Sequence, residues 1–193
     1  MITFRLFRSE NMDSFDTRVI PVIIARSRLA LVLNVALNKF LKKDDILLHL
    51  GDLACGPRKN IPDLKKLMSK FDCEKHFIRG NHDFWLSDSD LLEIGFKSVR
   101  TYILLENILI CHYPLDKAFR KSDYFNNDSH KHIWDLFFNE PLKSIYHGHV
   151  HNKAILRDDG ITRYNCCIDR FSKGYNIIAF PSDLEPALIT ALQ

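Results

Sequence analysis

The sequence predicts an α/β domain of layered type, and three observations carry that reading. Apolar runs of strand length alternate with segments of helical spacing along most of the chain. Four of the apolar runs end in polar residues able to hold a metal, in LHLGD, FIRGNHD, ILICHYP and IYHGHVH. No internal repeat, low-complexity tract or linker interrupts the 193 residues. A chain of that length buries a substantial core as one domain, so residues 1–193 are read as a single unit with an atypical segment at 1–28.

The elements follow in order. VIPVIIA (19–25) predicts a strand and LALVLNVALNKFLKK (29–43) a helix. DILLHL (45–50) is a short apolar run of buried-strand type that ends at Gly51-Asp52. IPDLKKLMSKF (61–71) has helical spacing, with Leu64, Leu67 and Met68 on one face. EKHFIR (74–79) is a strand leading into Gly80. SDSDLLEIGF (87–96) predicts a short helix stopped by Gly95. TYILLENILICHYP (101–114) predicts a hairpin turning at Glu106-Asn107. HKHIWDLFFNE (130–140) is a helix ended by Pro141. AILRDDGITRYN (154–165) carries a hairpin signal at Asp159-Gly160, and NIIAF (176–180) gives a last strand. Ser182 and Glu185 have the spacing of a capping box for a terminal helix.

Composition narrows the function classes. A chain 46% hydrophobic and 26% charged has the balance of a soluble globular protein. The formal charge of +3 is too mild, and Lys and Arg too scattered, to imply a nucleic acid or an anionic membrane as partner. Nucleic acid stays in view only as a substrate. The longest greasy stretch, LALVLNVAL (29–37), falls well short of the ~20 residues of a membrane helix, and MITFRLFRSENMD lacks the apolar core of a signal peptide. Cysteines stand at 55, 73, 111, 166 and 167, an odd number without CxxC spacing. That usage fits a reducing, cytoplasmic setting and excludes a zinc knuckle.

The chemistry gathers at the strand ends, where a sheet holds loops rigidly together. Three of the nine histidines fall within residues 147–151, and alternation along a strand would point His147, His149 and His151 to one side. Asp52 offers a carboxylate, and Gly51 lets the backbone bend before it. Asn81 offers an amide oxygen; His112, His149 and His151 offer imidazoles. Oxygen and nitrogen donors without thiolate suit Mn, Fe, Co, Ni or Zn rather than Ca. His82, beside Asn81, is placed to protonate a departing oxygen. Asp83 is expected to orient that imidazole and favour its protonated form. Lone histidines are more often structural, and His49, His76, His130, His132 and His147 take that reading. Cys111 is read as a small buried hydrophobe rather than a thiol nucleophile paired with His112. The Cys-x5-Arg spacing in CEKHFIR (73–79) lacks the glycine-rich phosphate loop that cysteine phosphatases need. Phe84 and Trp85 are open between substrate contact and core packing.

GDLACG, GNHD, CHYP and GHVHN, in that order, resemble the calcineurin-like metallophosphoesterases, particularly their small bacterial and phage members. The resemblance covers residue 29 to the end and implies a four-layer sandwich of two mixed β-sheets flanked by α-helices. It implies a hydrolase of phosphate mono- or diesters in which metal-activated hydroxide attacks phosphorus and His82 is the general acid. It makes Asp52 the bridging carboxylate, completes one metal site with Asn81, His112 and His149, and assigns His151 to a second site. Mn²⁺ is the expected ion, with Fe, Ni, Co or Zn also suited.

One family motif is missing. The chain has no Asp-x-His, the motif that ends the family's first strand and feeds the second ion. If VIPVIIA is that strand, Arg26-Ser27-Arg28 takes the place; if ITFRLF (2–7) is, the place falls around Arg5-Leu6-Phe7; DTR (16–18) would keep the Asp alone. The first register is favoured. Arginines there would repel a second cation, so a single-metal centre, or a weak second site filled only when substrate bridges, is expected. An alternative follows, a catalytically impaired member that binds a phosphorylated ligand or protein. Residues 1–28 also hold five Arg and no Lys, whereas the remainder holds fifteen Lys and seven Arg.

Overall fold

The structure, a computed structural model, describes residues 3–6, 43–54, 58–116, 131–150, 155–166 and 182–193. In chain order these form β1 (Thr3–Leu6), β2 (Ile46–His49), α1 (Ile61–Met68), β3 (Glu74–Ile78), α2 (Asp88–Ile94), β4 (Ser98–Arg100) and β5 (Tyr102–Leu105). Then follow β6 (Ile108–Cys111), α3 (Lys131–Asn139), β7 (Ser144–His147), β8 (Ile155–Asp158), β9 (Ile161–Asn165) and α4 (Glu185–Leu192). One sheet has the order β1-β2-β3-β4 and the other β5-β6-β7-β9-β8. Both are mixed: β2, β3 and β4 run parallel with β1 antiparallel, and β6, β7 and β9 run parallel with β5 and β8 antiparallel at the edges.

Strand alternation sorts the side chains into four layers. Leu48 and Ile78 point between the sheets, where they meet Ile103, Ile110 and Tyr146. Their neighbours Leu47 and Phe77 point outward and pack beneath Leu64 and Met68 of α1 and Leu91 and Ile94 of α2. On the other sheet, Leu109, Cys111 and Ile145 pack against Ile133, Trp134 and Phe137 of α3. Both faces of the central strands are therefore covered, which is why DILLHL and NILIC read as unbroken apolar runs rather than as alternation. The arrangement is the predicted sandwich of two mixed sheets flanked by helices.

Local chemistry sets the boundaries. In α2 the Ser87 side chain accepts from the Asp90 backbone N–H and the Asp90 carboxylate accepts from that of Ser87. The helix ends at Gly95, in the left-handed region at φ 116°. The two hairpin turns fall at Glu106-Asn107 and Asp159-Gly160, as their sequences predict. The terminal helix differs from expectation. Ser182–Leu184 form a 3₁₀ turn, and α4 begins behind it with Leu184 as N-cap, no side-chain cap, and Pro186 in the first turn. β4 was not predicted, because three residues with a serine and an arginine among them carry no strand period. It is held by pairing with β3. The strand and helix expected at 19–25 and 29–43, and the strand at 176–180, lie outside the described residues. No helix among the described residues is long and apolar enough to cross a membrane.

Arg163 ties the second sheet to the loop after β6. Its side chain is 0% exposed. Its Nε donates to the Pro114 carbonyl at 2.8 Å, Nη2 to the Leu115 carbonyl at 3.1 Å, and Nη1 to the Asp159 carboxylate at 3.0 Å. Leu115 is held in a left-handed kink at φ 50°, a conformation a non-glycine residue keeps only where its surroundings impose it. A buried cation with this set of partners is costly to remove, because the partners are then orphaned. Arg163→Leu is expected to lower the free energy of unfolding by ~3 kcal/mol, measurable by urea denaturation; a change within error would show that the clamp contributes nothing net.

Candidate metal centre

Parallel neighbours bring their carboxyl ends to one side, and this decides where the site forms. β2 and β3 lead into Gly51-Asp52 and Gly80-Asn81-His82-Asp83, while β6 and β7 lead into His112 and Gly148-His149. The first two loops touch so closely that neither glycine has room for a side chain. A Cβ on Gly51 would lie 2.4 Å from the Gly80 nitrogen, and one on Gly80 would lie 2.3 Å from Asp52 Oδ1. Gly51 also takes φ 87°, which a side chain would strain.

Asp83 joins these loops. Its carboxylate is buried and accepts backbone N–H bonds from Asp52 at 2.7 Å, Leu53 at 2.9 Å and Gly80 at 2.7 Å. Burial raises its pKa, against the pull of those same N–H groups. This corrects the expectation that Asp83 orients His82. Both carboxylate oxygens face the backbone of the neighbouring loops, and the His82 ring is not among their partners.

Four donor atoms converge beside this strut. His112, 0% exposed, donates Nδ1–H to the Leu50 carbonyl at 2.7 Å. With Nδ1–H on that carbonyl, Nε2 is the ring atom turned toward the site. That atom lies 3.0 Å from Asn81 Oδ1, 3.2 Å from His149 Nδ1 and 3.3 Å from Asp52 Oδ2. Asn81 Oδ1 and His149 Nδ1 are 2.9 Å apart. Asn81 Oδ1, His112 Nε2 and His149 Nδ1 thus form a close triangle of potential ligand atoms next to a carboxylate. A cation bound among them at ordinary coordination distances would satisfy all four. The donor set therefore fits a divalent metal, and Asp52, His112 and His149 offer ligand atoms within 4.8 Å of one another.

Electrostatics favours an ionised Asp52 and a neutral His149. Burial alone would raise the Asp52 carboxyl, but the hydrogen bond and charge of His112 and the His82 backbone N–H hold it far below the usual carboxylate range. Burial and then the field of His112 push His149 down to about 3, so its imidazole is neutral, as a ligand must be.

His149 reaches the site through strain rather than through strand alternation. β7 ends at His147, whose Nδ1 lies 2.8 Å from the Gly148 carbonyl, and His149 takes φ 68°. The Val150 N–H donates back to the Gly148 carbonyl at 2.7 Å, closing a three-residue turn. The Gly148 N–H donates to the His112 carbonyl at 2.9 Å, and Asn165 Nδ2 donates to the Val150 carbonyl at 2.8 Å. Asp52, at φ 56°, is the other donor with left-handed backbone. His82 stands exposed at the rim, its N–H on Asp52 Oδ1 at 2.9 Å. His151 and Arg26-Ser27-Arg28 lie outside the described residues.

The structure also removes one register for the missing motif. β1 runs antiparallel to β2, with Leu6 opposite Ile46 and Thr3 opposite His49. Its carboxyl end therefore lies at the far end of β2 from Asp52, so Arg5 and Leu6 do not stand where the motif would. Cys111 is buried and its thiol is pushed up to about 12 by burial, which leaves it without nucleophilic character at neutral pH. Sequence reasoning missed Arg163 and Asn165, which hold the His112 and His149 loops. Their signal was the period of ITRYN, where both share a face with Ile161.

The family model for calcineurin-like phosphoesterases matches residues 25–153, a span that holds every donor named above. No curated protein matches the chain. A solved structure of a protein of unknown function from Aquifex aeolicus is similar to it, with 22% identity and a TM-score of 0.57 over 80% of this chain and 83% of that one. That likeness bears on the fold. Nuclease MPE from Pseudomonas putida is more distant, with 14% identity and a TM-score of 0.46 over 86% and 88% of the two chains.

Gly80→Ala should disturb the site without emptying the core, because the added methyl meets Asp52 and the His112 ring rather than apolar packing. Mn²⁺ should raise the Tm of the wild-type chain and leave that of Gly80→Ala nearly unmoved. An equal rise in both, by differential scanning calorimetry, would show that the loops yield more easily than their contacts imply.

Proposed function

The chain belongs to the calcineurin-like phosphoesterase family, whose members are metal-dependent phosphoesterases, and from that premise we propose that it hydrolyses phosphate mono- or diesters at Asp52, Asn81, His82, His112 and His149. The observation that carries this reading is the convergence of four metal donors next to an exposed histidine.

Asp52 Oδ2, Asn81 Oδ1, His112 Nε2 and His149 Nδ1 would hold the ion. A divalent cation supplies an activated water at neutral pH and neutralises charge on the phosphoryl oxygens. Mixed oxygen and imidazole donors accept Mn²⁺, the expected ion, as well as Fe, Ni, Co or Zn. Asp52 Oδ1 accepts the His82 N–H, and Oδ2 is the oxygen turned toward His112. His82 gives its ring proton to the departing oxygen. The same backbone bond to Asp52 fixes where that ring starts from, so acid and donor set move as one piece. Asp83 acts on the reaction only through the loops it joins.

The roles separate experimentally. His82→Ala should lower kcat roughly 10²–10⁴-fold on esters with alkoxide leaving groups, with much less loss on p-nitrophenyl esters, whose leaving group needs no proton. Mn²⁺ affinity should change little. Equal losses on both kinds of ester, or parallel loss of metal, would contradict the general-acid role. A metal-loaded chain that turns over neither monoesters nor diesters would favour the impaired, ligand-binding alternative that the absent Asp-x-His raises.

A further inference from the structure

Large hydrophobic side chains are exposed at only three described positions, Phe84, Leu92 and Phe138. Leu92 belongs to α2, and Phe138 stacks with Trp134 on α3. Phe84 is different: it is 85% exposed and follows the proposed acid His82 by two residues.

Its exposure is imposed by the fold. Asp83 before it is locked to three backbone N–H groups. The Leu86 N–H after it donates to the Asp83 carbonyl at 2.9 Å, and Trp85 Nε1 donates to the Ala54 carbonyl at 3.1 Å. Of the two adjacent aromatics, Trp85 packs on the Leu47–Phe77 core and Phe84 is held out in water.

The direction follows from the turn. Asn81–Asp83 form a 3₁₀ helix, and Phe84 at φ −57°, ψ −24° continues its geometry. Side chains three apart eclipse one another in such a helix, with an offset of about 6 Å along its axis. Phe84 therefore shares a face with Asn81, whose Oδ1 lies among the metal donors. A solvent-facing ring on a fixed backbone thus stands on the face that carries a proposed metal donor, about 6 Å along the helix axis from it. A flat ring there recognises another flat ring. The mild charge of +3, with Lys and Arg scattered, favours a mononucleotide-sized ester over a polymer.

We propose that Phe84 is a stacking platform for a nucleobase, and that the substrate is a nucleotide-type phosphate ester. The proposal rests on the phosphoesterase reading of the same site. Adenosine 5′-monophosphate and ribose 5-phosphate differ only by the base, so their affinities for the Mn²⁺-loaded chain, measured by calorimetry, isolate its contribution. The nucleotide should bind at least roughly tenfold more tightly. Phe84→Ala should remove most of that preference, Phe84→Trp should retain it, and Phe84→Leu, apolar but not flat, should lose it. Equal affinities in the wild-type chain, no measurable binding of the nucleotide, or a preference that survives Phe84→Ala would each overturn the proposal. Hydrolysis of both compounds and of their methyl esters is followed in parallel. Base-dependent binding without any turnover would sink the phosphoesterase reading and leave the platform standing; turnover indifferent to the base would do the reverse.

Discussion

The Asp83 carboxylate joins the loop after β2 to the loop after β3, and the site is assembled on that joint. Three backbone N–H groups from two loops close on one buried carboxylate, at a contact too tight for a Cβ at either Gly51 or Gly80. An ionised carboxylate with several backbone donors makes strong, directional bonds, and here those bonds fix relative loop position rather than a single side chain. With the loops joined, Asp52 can turn Oδ2 toward His112 and give Oδ1 to the His82 N–H. The donor set and the proposed acid then share one rigid body.

Strain is distributed in keeping with that account. Of the five described non-glycine residues at positive φ, Glu106 and Asp159 lie in hairpin turns and Leu115 under the Arg163 clamp. The other two are Asp52 and His149, both among the proposed metal donors. Left-handed backbone is costly for such residues and persists where surrounding structure over-determines it. Asp52 is held by the Asp83 joint. His149 is held by the bonds of Gly148 to the His112 carbonyl and of Asn165 to Val150. The converging acceptors add electrostatic cost, which a bound cation would relieve.

Much of the fold was legible because its signals are local. GD, GNHD, CHYP and GHVH mark strand ends, and the Glu106-Asn107 and Asp159-Gly160 turns mark hairpins. Both kinds of signal depend on a few adjacent residues. What escaped depends on contacts distant in sequence. β4 exists through its pairing with β3. Arg163 is buried only because the loop at 114–115 folds over it. Asp83 sits next to His82 in sequence, yet two of its three partners, Asp52 and Leu53, lie 31 and 30 residues earlier in the chain. His149 departs from strand alternation because a left-handed residue resets the phase. Phe84 and Trp85 are indistinguishable as residue types, and only the turn decides which of them enters the core.

The central claim is that Asp52, Asn81, His112 and His149 form a centre that holds a divalent ion. The most direct test is elemental analysis of the chain after reconstitution with Mn²⁺ and removal of loosely held metal, beside His112→Ala treated identically. The account predicts one ion per wild-type chain and none in the variant. A wild-type chain that retains no ion, or a variant that retains as much, would contradict it.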